Sequence, residues 1–412
     1  MSEWKKVKLK NCCHSISDGD HLPPPKSECG VPFITIANID ATNHIDFGDT
    51  MFVPFDYYDN LNNIRKARCN DILYSVVGSF GTPVLIKDNI PFAFQRHIAI
   101  LRPNNEIADS RFLYYIMLTR DFYMQADSIA IGAAQRTISL TALRNMEVEL
   151  PPMEIQHRIA TILSRYDSLI ENYQKQIKLL EEAAQRLYKE WFVDLHFPGH
   201  ENTKIVNGVP EGWEKKKVAD VCETIGGGTP STKVTSYYEG GTISWVTPTD
   251  ITKNNSLCLL RTEKKITKEG LKHSSAKMLP PETILMTSRA SVGYFGICDF
   301  EVCTNQGFIS CVPFDWDFQM YLLYNLKNRV EEIRTKAGGS TYLEISKSVF
   351  RNFDVICPPK SLLSQFQQKT HRILEKTRNI ATQIRLLTEA RDRLLPKLMS
   401  GEIDVVEKRS ER

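Results

Sequence analysis

RNMEVELPP at residues 144–152 returns almost unchanged as RNFDVICPP at residues 351–359, and a long stretch of helical character follows each copy. The offset of 207 residues (351 − 144) also aligns the preceding residues, so that GAAQRTISLTALRN (132–145) matches GSTYLEISKSVFRN (339–352). It aligns the helical stretches as well, where Arg165 matches Arg372 and Leu187 matches Leu394. Two copies of about 200 residues indicate a duplicated domain, because a solenoid stacks many shorter repeats.

The composition is typical of a soluble protein. The chain has 412 residues, of which 42% are hydrophobic, which suffices for two or three domains with sizeable cores. No N-terminal segment resembles a signal peptide, and no apolar run approaches the roughly 18 residues of a membrane span. We therefore expect a cytoplasmic protein. The ten cysteines include no CxxC pair, which favours reduced, mostly buried thiols over a metal site or disulfides.

The net charge of +3 neither requires nor excludes nucleic acid as a partner. Local charge is more informative. Lys5, Lys6, Lys8 and Lys10 near the start of the first copy recur as Lys215, Lys216 and Lys217 near the start of the second. Such runs suit either a solvated face or a patch that contacts phosphates, and the sequence leaves both interpretations open.

The pattern along the chain predicts an α+β (mixed α/β) fold in which two pseudo-repeated globular domains are separated by two long helices. Short β-rich runs such as PFITIANI and HIAILRP, punctuated by Gly, Pro and Asn, mark the globular parts. We expect domains at 1–150 and 207–357, helical spacers at 151–197 and 358–400, and a C-terminal tail at 401–412.

The helical stretches carry apolar residues at alternating steps of three and four. A strict seven-residue repeat predicts a coiled coil, since an ordinary core-facing helix drifts out of that register. Equivalent surfaces meeting across a pseudo-twofold axis predict an antiparallel pair, with the domains at opposite ends of a rod. The expected seam consists of Ile159, Leu163, Tyr166, Ile170, Tyr173, Ile177, Leu180, Ala184, Leu187 and Trp191 in the first helix and Phe366, Ile373, Ile380, Ile384, Leu387, Leu394 and Leu398 in the second. Thr370, Thr377 and Arg391 interrupt the second half of this seam.

Motifs for catalysis are scarce. The chain has no phosphate-binding GxxxxGK[ST] loop, no GxGxxG after a strand and no HExxH. One spacing, Asp250 followed by Glu263 and Lys265, could bind Mg²⁺ and activate water, so a metal-dependent nuclease remains an alternative. Polar loops such as GGGTPST, MTSRASVG and TNQG suit contacts to phosphates and base edges, although they suit sugar or peptide binding nearly as well.

The ordered phrases resemble a known family over essentially the full length of the chain. PPMEIQHRIATILSRYDSLIENYQKQIKLLEEAAQRLYKEWFVD in the centre is followed by VPEGWE, GGGTPS, ISWVTPTDI, TILMTSRASVGYFGI, TNQGFIS and STYLEISKSVFRN. Together they resemble the DNA-specificity subunit of type I restriction–modification enzymes. The first domain matches weakly, and the second helix lacks a glutamine at the position of Gln156.

The resemblance implies a non-catalytic subunit whose two target-recognition domains each read one half of a bipartite double-stranded DNA sequence. It implies helices that set the gap and dock two adenine methyltransferase subunits, together with ATP-driven restriction subunits. The chain itself would hold no cofactor; S-adenosylmethionine, ATP and Mg²⁺ would belong to those partners. A coiled-coil scaffold without a DNA role is the other alternative.

The resemblance also selects candidate DNA-binding residues. Residues within the recurring phrases are expected to contact phosphate or shape loops, because residues shared by readers of different sequences cannot specify a base; these are Thr229, Ser231, Thr247, Asp250, Ser288, Arg289, Asn305 and Gln306. Base readout is expected from Lys233 and Tyr237. In the first domain the candidates are Gln95, Arg96 and Arg136.

Overall fold

The chain forms two compact units in a computed structural model that describes residues 4–21, 23–40, 42–133, 135–339 and 342–405. Within the described residues, the first unit comprises 4–168 and 388–405, and the second comprises 169–387. The last residues of the expected C-terminal tail, 406–412, lie outside the described part.

The first unit contains two small sheets and short helices. Strands Cys13–Asp18, Ile98–Pro103, Ile72–Ser75 and Pro83–Leu85 form an antiparallel sheet in that order. Strands Met51–Val53, Val31–Ile34 and Ala93–Phe94 form a mixed sheet, in which the last pair is parallel. The helices of this unit are Leu9–Cys12, Phe55–Asn60, Ser110–Met117, Arg120–Ile129 and Leu140–Asn145, with 3-10 turns at Ile36–Asn38 and Asn63–Arg65.

The second unit repeats this topology strand for strand. Its antiparallel sheet has the order Cys222–Gly226, Phe308–Pro313, Ile284–Thr287 and Phe295–Ile297. Its mixed sheet has the order Lys264–Ile266, Ile243–Val246 and Cys303–Thr304. A hairpin joins Ile205–Val206 to Val209–Pro210, and the short helices are Val218–Val221, Pro248–Thr252, Lys268–Lys272, Gln319–Asn328, Val330–Thr335 and Lys347–Arg351, with 3-10 turns at His200–Asn202, Thr235–Tyr237 and Trp316–Phe318.

The repeated phrases hold the same structural positions in both units. Ser139 and Ser346 each cap a short helix, accepting the N–H of Ala142 and Val349 at 3.1 and 3.3 Å. Arg144 donates to the carbonyl oxygen of Ile16 at 2.6 Å, as Arg351 does to that of Thr224 at 3.0 Å. These contacts tie the helix to the first strand of the antiparallel sheet. The RN pair that opens each copy therefore recurs for structural reasons.

Two helices of the chain are unusually long. The first long helix, Met153–Tyr188, ends in a π-helical turn at Lys189–Val193, and the second long helix spans Lys360–Met399 with Pro396 in its last turn. In the first unit, Ile159 and Leu163 at the start of the first helix share a core with Leu398 at the end of the second. In the second unit, Trp191 at the end of the first helix packs on Phe366 near the start of the second, with ring centroids 5.9 Å apart. The helices are therefore antiparallel in each unit, as the sequence predicted.

Most of the expected seam is at least partly buried, and two of the three polar residues that interrupt it, Thr370 and Arg391, are accommodated by local bonds. Thr370 is fully buried and donates its hydroxyl to the carbonyl oxygen of Phe366 at 2.7 Å. Arg391 forms an ion pair with Asp167 at 2.8 Å, and Asp167 also accepts the hydroxyl of Tyr115 at 2.5 Å. Burial and the neighbouring Asp167 carboxylate raise the pKa of Tyr115, so that hydroxyl keeps its proton. This triad binds the second helix to both the first helix and the first globular region.

The missing glutamine of the second copy is replaced one helical turn further along. Buried Gln156 accepts the backbone N–H of Asp109, at the start of helix Ser110–Met117, at 3.0 Å. Leu363 occupies the aligned position, but Gln367 accepts the N–H of Met320, in the first turn of helix Gln319–Asn328, at 2.9 Å. Four residues restore the same face of a helix, so the same contact is made in both units.

The lysine runs lie in two-stranded ribbons beside acidic strands. Lys5–Lys8 pairs with Glu147–Leu150 in a register that sets Lys6 opposite Glu149 and Lys8 opposite Glu147. Glu214–Lys217 pairs with Asp354–Cys357, where Lys215 and Lys217 contact the Asp354 carboxylate at 2.9 and 2.5 Å. These bonds lower the pKa of Asp354 to about 2. The ribbons favour the structural interpretation of the lysine runs.

The cysteines are all unpaired, and seven of them, from Cys12 to Cys357, are buried. Burial raises the pKa of Cys298 and Cys303 to about 12, which keeps both thiols protonated. Among the helices of the described residues, none combines the length and apolar character needed to cross a membrane.

Candidate nucleic-acid interface

Three loops of the second unit meet where the parallel strand Cys303–Thr304 ends. Gly228 donates its backbone N–H to Thr304 at 2.9 Å, and Asn305 donates to Val246 at 3.0 Å. Ser288 donates to the carbonyl oxygen of Gly307 at 2.8 Å. The loops 226–229, 247–250 and 288–290 therefore converge on residues 305–307. We call this set of loops the polar edge of the second unit.

The first unit has a polar edge of the same construction. Asp20 donates to Phe94 at 3.2 Å, Gln95 to Ile34 at 3.1 Å, and Val76 to His97 at 2.9 Å. The loops 18–20, 35–38 and 76–78 thus converge on residues 95–97. The candidates Gln95 and Arg96 occupy the positions that Asn305 and Gln306 hold in the second unit.

One glycine in each polar edge is required by close backbone approach. A Cβ atom at Gly19 would collide with the carbonyl oxygens of Phe94 and Gln95, and one at Gly227 would collide with those of Thr304 and Asn305. Only glycine permits this packing. The glycine-rich GGGTPST segment thus closes the polar edge onto the end of the neighbouring strand.

Several candidates of the second unit shape this edge through internal bonds. Thr247 caps helix Pro248–Thr252 together with Asp250, whose Oδ2 accepts the backbone N–H and the hydroxyl of Thr247, both at 2.7 Å. Asn305 closes a turn by accepting the N–H of Gly307 at 2.9 Å. Ser288 is buried, and Thr229 donates its hydroxyl to the Oε1 of Gln306.

Other candidates of the second unit present side chains to solvent. Ser231 and Lys233 are exposed. Their loop is held by Tyr238, which donates its hydroxyl to the carbonyl oxygen of Pro230 at 2.6 Å. Tyr237 stacks on His273 with ring centroids 5.5 Å apart. Arg289 is exposed, and its Nε lies 3.6 Å from the carboxylate of Glu344. A separation of this size leaves the guanidinium donors largely available.

The first-unit candidates differ in their availability. Arg96 is exposed and has no ion-pair or hydrogen-bond partner within the described part of the chain. Gln95 is half-buried beside it. Arg136 instead pairs with Asp127 and lies over the ring of Phe80 at 5.4 Å, so its charge is used within the domain.

Comparison with known proteins agrees with the duplicated architecture. A model of the type I restriction modification DNA specificity domain matches residues 1–182 and again residues 210–389. This chain belongs to that family. Members of the family are the non-catalytic DNA-recognition subunits of type I restriction–modification systems; they recognise bipartite targets and take part in assembly of the complex.

Individual relatives of this specificity subunit span the whole chain or part of it. The type I restriction enzyme HindI specificity subunit of Haemophilus influenzae is 24% identical, and the alignment covers 98% of this chain and 100% of the relative. The MjaIX specificity subunit of Methanocaldococcus jannaschii is 35% identical over 42% of this chain and 43% of the relative. The crystal structure of a type I restriction–modification S subunit from M. genitalium shares the fold, with a TM-score of 0.59, 18% identity and 96% of each chain covered.

The nuclease alternative conflicts with the bonding of Asp250 in this specificity subunit. Besides the two bonds from Thr247, the Asp250 carboxylate accepts the N–H of Glu263 at 2.7 Å through Oδ1. Both oxygens therefore stabilise the local fold. Lys265 lies in a strand, where it faces Ser244. Since the family is also non-catalytic, the spacing of these three residues is explained without a nuclease.

A charged network in the first polar edge was not predicted from the sequence. Asp18 and Asp20 flank Gly19, and Arg65 lies 3.7 Å from the first carboxylate and 3.4 Å from the second. The only sequence signal was the polar phrase SISDGD (15–20), which gives no indication of a partner 45 residues away. The second unit has Gly226 and Gly228 in place of the two aspartates, so this network is specific to the first unit.

Proposed function

We propose that each unit of this specificity subunit reads one half of a bipartite DNA target through its polar edge. The observation that supports this most directly is the construction of the same edge twice, from the same three backbone contacts, with different side chains on each copy. A shared frame with different side chains is what two readers of different sequences require. Arrays of polar groups and glycine turns also suit contact with phosphates and base edges.

The candidate residues fall into groups according to whether their polar side-chain atoms are exposed or already hydrogen-bonded within the protein. We assign Arg96, Lys233, Ser231 and Arg289 to direct DNA contact, because their side chains are exposed. We assign Thr247, Asp250, Ser288, Asn305 and Arg136 to shaping the loops, because their polar groups are used internally or buried. Gln95 and Tyr237 lie between these groups, and we propose that they contact base edges. We assign the Thr229–Gln306 pair to shaping the edge, because its hydrogen bond joins two loops.

The long helices set the gap between half-sites and dock partner subunits in this proposal. Leu179 in the first helix and Leu386 in the second are 63% and 46% exposed, although both belong to helices with otherwise buried apolar seams. We propose these two leucines as candidate contacts for the partner subunits. The partners would be two adenine methyltransferase subunits that use S-adenosylmethionine and restriction subunits that use ATP and Mg²⁺. The assembly would act on DNA in the cytoplasm.

The proposal is tested by co-expressing the chain with an adenine methyltransferase subunit in a host without adenine methylation and mapping modified adenines across the genome. We expect one bipartite motif with a constant gap. The matched control is the methyltransferase subunit alone, which should modify nothing. A folded complex that leaves the genome unmodified would contradict the proposal and favour the scaffold alternative.

A further inference from the structure

Arg65 is the central residue of the charged network in the first polar edge. It ends the 3-10 turn Asn63–Arg65, and its Nη1 and Nη2 atoms lie 3.4 Å from Asp20 and 3.7 Å from Asp18. Its side chain retains 29% exposure, whereas the two aspartates retain 15% and 13%. The guanidinium is therefore held from one side and open to solvent on the other.

The two carboxylates are themselves fixed by further bonds. Asp20 accepts the hydroxyl of Tyr57 and the backbone N–H of His21, both at 2.7 Å. Asp18 lies 2.8 Å from the Nε2 atom of His21. Burial and the bond to Asp20 raise the pKa of Tyr57, so this hydroxyl remains a donor. The carboxylates cannot easily turn away, and the hydrogen bond from Arg65 to Asp20, with the Asp18 carboxylate on the same side at 3.7 Å, keeps the guanidinium beside them.

The network lies within the polar edge. Asp20 pairs with Gln95 as an isolated parallel bridge and donates its N–H to Phe94. Arg65 thus contacts the turn whose backbone bonds, from Asp20 to Phe94 and from Gly19 to Ile98, flank the candidates Gln95 and Arg96.

The neighbouring charges and the fixed orientation of Arg65 indicate whether it contacts a phosphate or a base. Two aspartates beside the guanidinium repel a phosphate group, which argues against a backbone contact. An arginine that is already oriented loses less side-chain entropy on binding than a free one. A guanidinium edge matches the O6 and N7 acceptors of guanine in the major groove, and this bidentate contact is strongly selective among bases. Arg96, which is exposed and unpaired, suits phosphate better.

We propose that Arg65 reads a guanine in the half-site of the first unit, with Asp18, Asp20 and Tyr57 as positioning residues. This inference rests on the function proposed above. The second unit has glycines at the aligned turn, and its described residues hold no counterpart of this network.

The test uses the same co-expressed complex with Arg65→Lys and Arg65→Ala, and Asp20→Asn as a positioning variant. Lysine keeps the charge but lacks the two parallel donors. We expect at least about a tenfold loss of preference for guanine at one position of one half-site, with the other half-site and the gap unchanged. Asp20→Asn should weaken the same preference to a smaller extent. Arg111→Lys is the matched control, because Arg111 also pairs with an aspartate, Asp109, at 3.1 Å, and should leave the motif unchanged.

The outcomes distinguish this inference from the proposed function. If the Arg65 variants still modify a bipartite motif with unchanged base preference at every position, the role of Arg65 is overturned and the proposed function stays intact. The same holds for a uniform decrease in modification at unchanged base preference, which is the result expected of a purely structural ion pair. Absence of any modification by the wild-type complex would contradict the proposed function itself.

Discussion

Two arginines of the second unit illustrate how differently the same residue type is used. Arg351 donates to the hydroxyl and the carbonyl oxygen of the buried Thr224, whereas Arg289 has only Glu344 beside it, at 3.6 Å. Both occur in phrases that the sequence singled out. Only their partners in the fold tell which one supports structure and which one is available to DNA.

Replacing Arg351 with alanine should destabilise the protein without changing DNA recognition. The change removes two hydrogen bonds that the Arg351 guanidinium donates to Thr224. Each hydrogen bond from a charged donor contributes about 1–3 kcal/mol to stability. Thermal unfolding of the purified chain should therefore shift by several degrees towards lower temperature. Arg289→Ala is the matched control and should leave the unfolding transition in place.

Arg289→Ala should instead weaken DNA binding to a similar extent across sequences. Loss of one phosphate contact lowers the slope of log affinity against log salt by about one. Titration of fluorescent duplexes with the assembled complex at several salt concentrations would measure this slope. Unchanged affinity and unchanged salt dependence would remove Arg289 from the interface.

At the scale of elements, the polar interruptions of the helical seam become specific attachments. Arg391 and Asp167 join the two long helices within the first unit, and Tyr115 joins them to helix Ser110–Met117. Gln156 attaches the start of the first long helix to helix Ser110–Met117, and Gln367 attaches the start of the second to helix Gln319–Asn328. These attachments favour a single register, since a shifted helix would leave charged or amide groups buried without partners.

Asp167→Ala should be more destabilising than the loss of an ordinary surface ion pair. Both charged side chains are largely buried, at 26% and 16% exposure, and the change leaves Tyr115 without its acceptor and Arg391 with the more exposed Asp392 as its carboxylate partner. We expect a cost of about 3 kcal/mol. The double variant Asp167→Leu with Arg391→Leu should recover much of this loss, because apolar side chains of similar size remove the unpaired charge. Equal destabilisation by the single and double variants would contradict this account of the pair.

At the scale of the whole molecule, duplication places the same polar edge in the chain twice and provides two long helices. If the helices set the gap between half-sites, their length should determine it. The heptad pattern then limits which length changes the molecule can accept.

Inserting seven residues into the middle of both long helices should lengthen the recognised gap. Seven residues keep the seam in register and add about 10 Å of helix, or about three base pairs at 3.4 Å each. Genome-wide mapping of modified adenines would show the new gap, with both half-sites unchanged. Insertion into one helix alone is the control and should disrupt the complex. A folded double variant with the original gap would mean that the helices do not set the spacing.

Much of this protein is determined by local sequence pattern alone. The duplication, the mixed α/β domains and the antiparallel helices follow from the repeated phrases, the short β-rich runs and the heptad spacing, and the family follows from the resemblance of the ordered phrases; the structure and the comparisons confirm them. Periodicity is a local property, so it can be read without knowledge of distant contacts.

Tertiary structure decided which polar residues meet. In the fold, Gln95 and Arg96 hold the same place in the first polar edge as Asn305 and Gln306 hold in the second. Gln367, and not the aligned Leu363, accepts the backbone N–H at the start of the neighbouring helix. Arg65 lies against Asp18 and Asp20. Each of these partnerships joins residues far apart in the chain, and no short-range pattern encodes a partner across such a distance. Only the packing of the strands and loops sets these groups within bonding range.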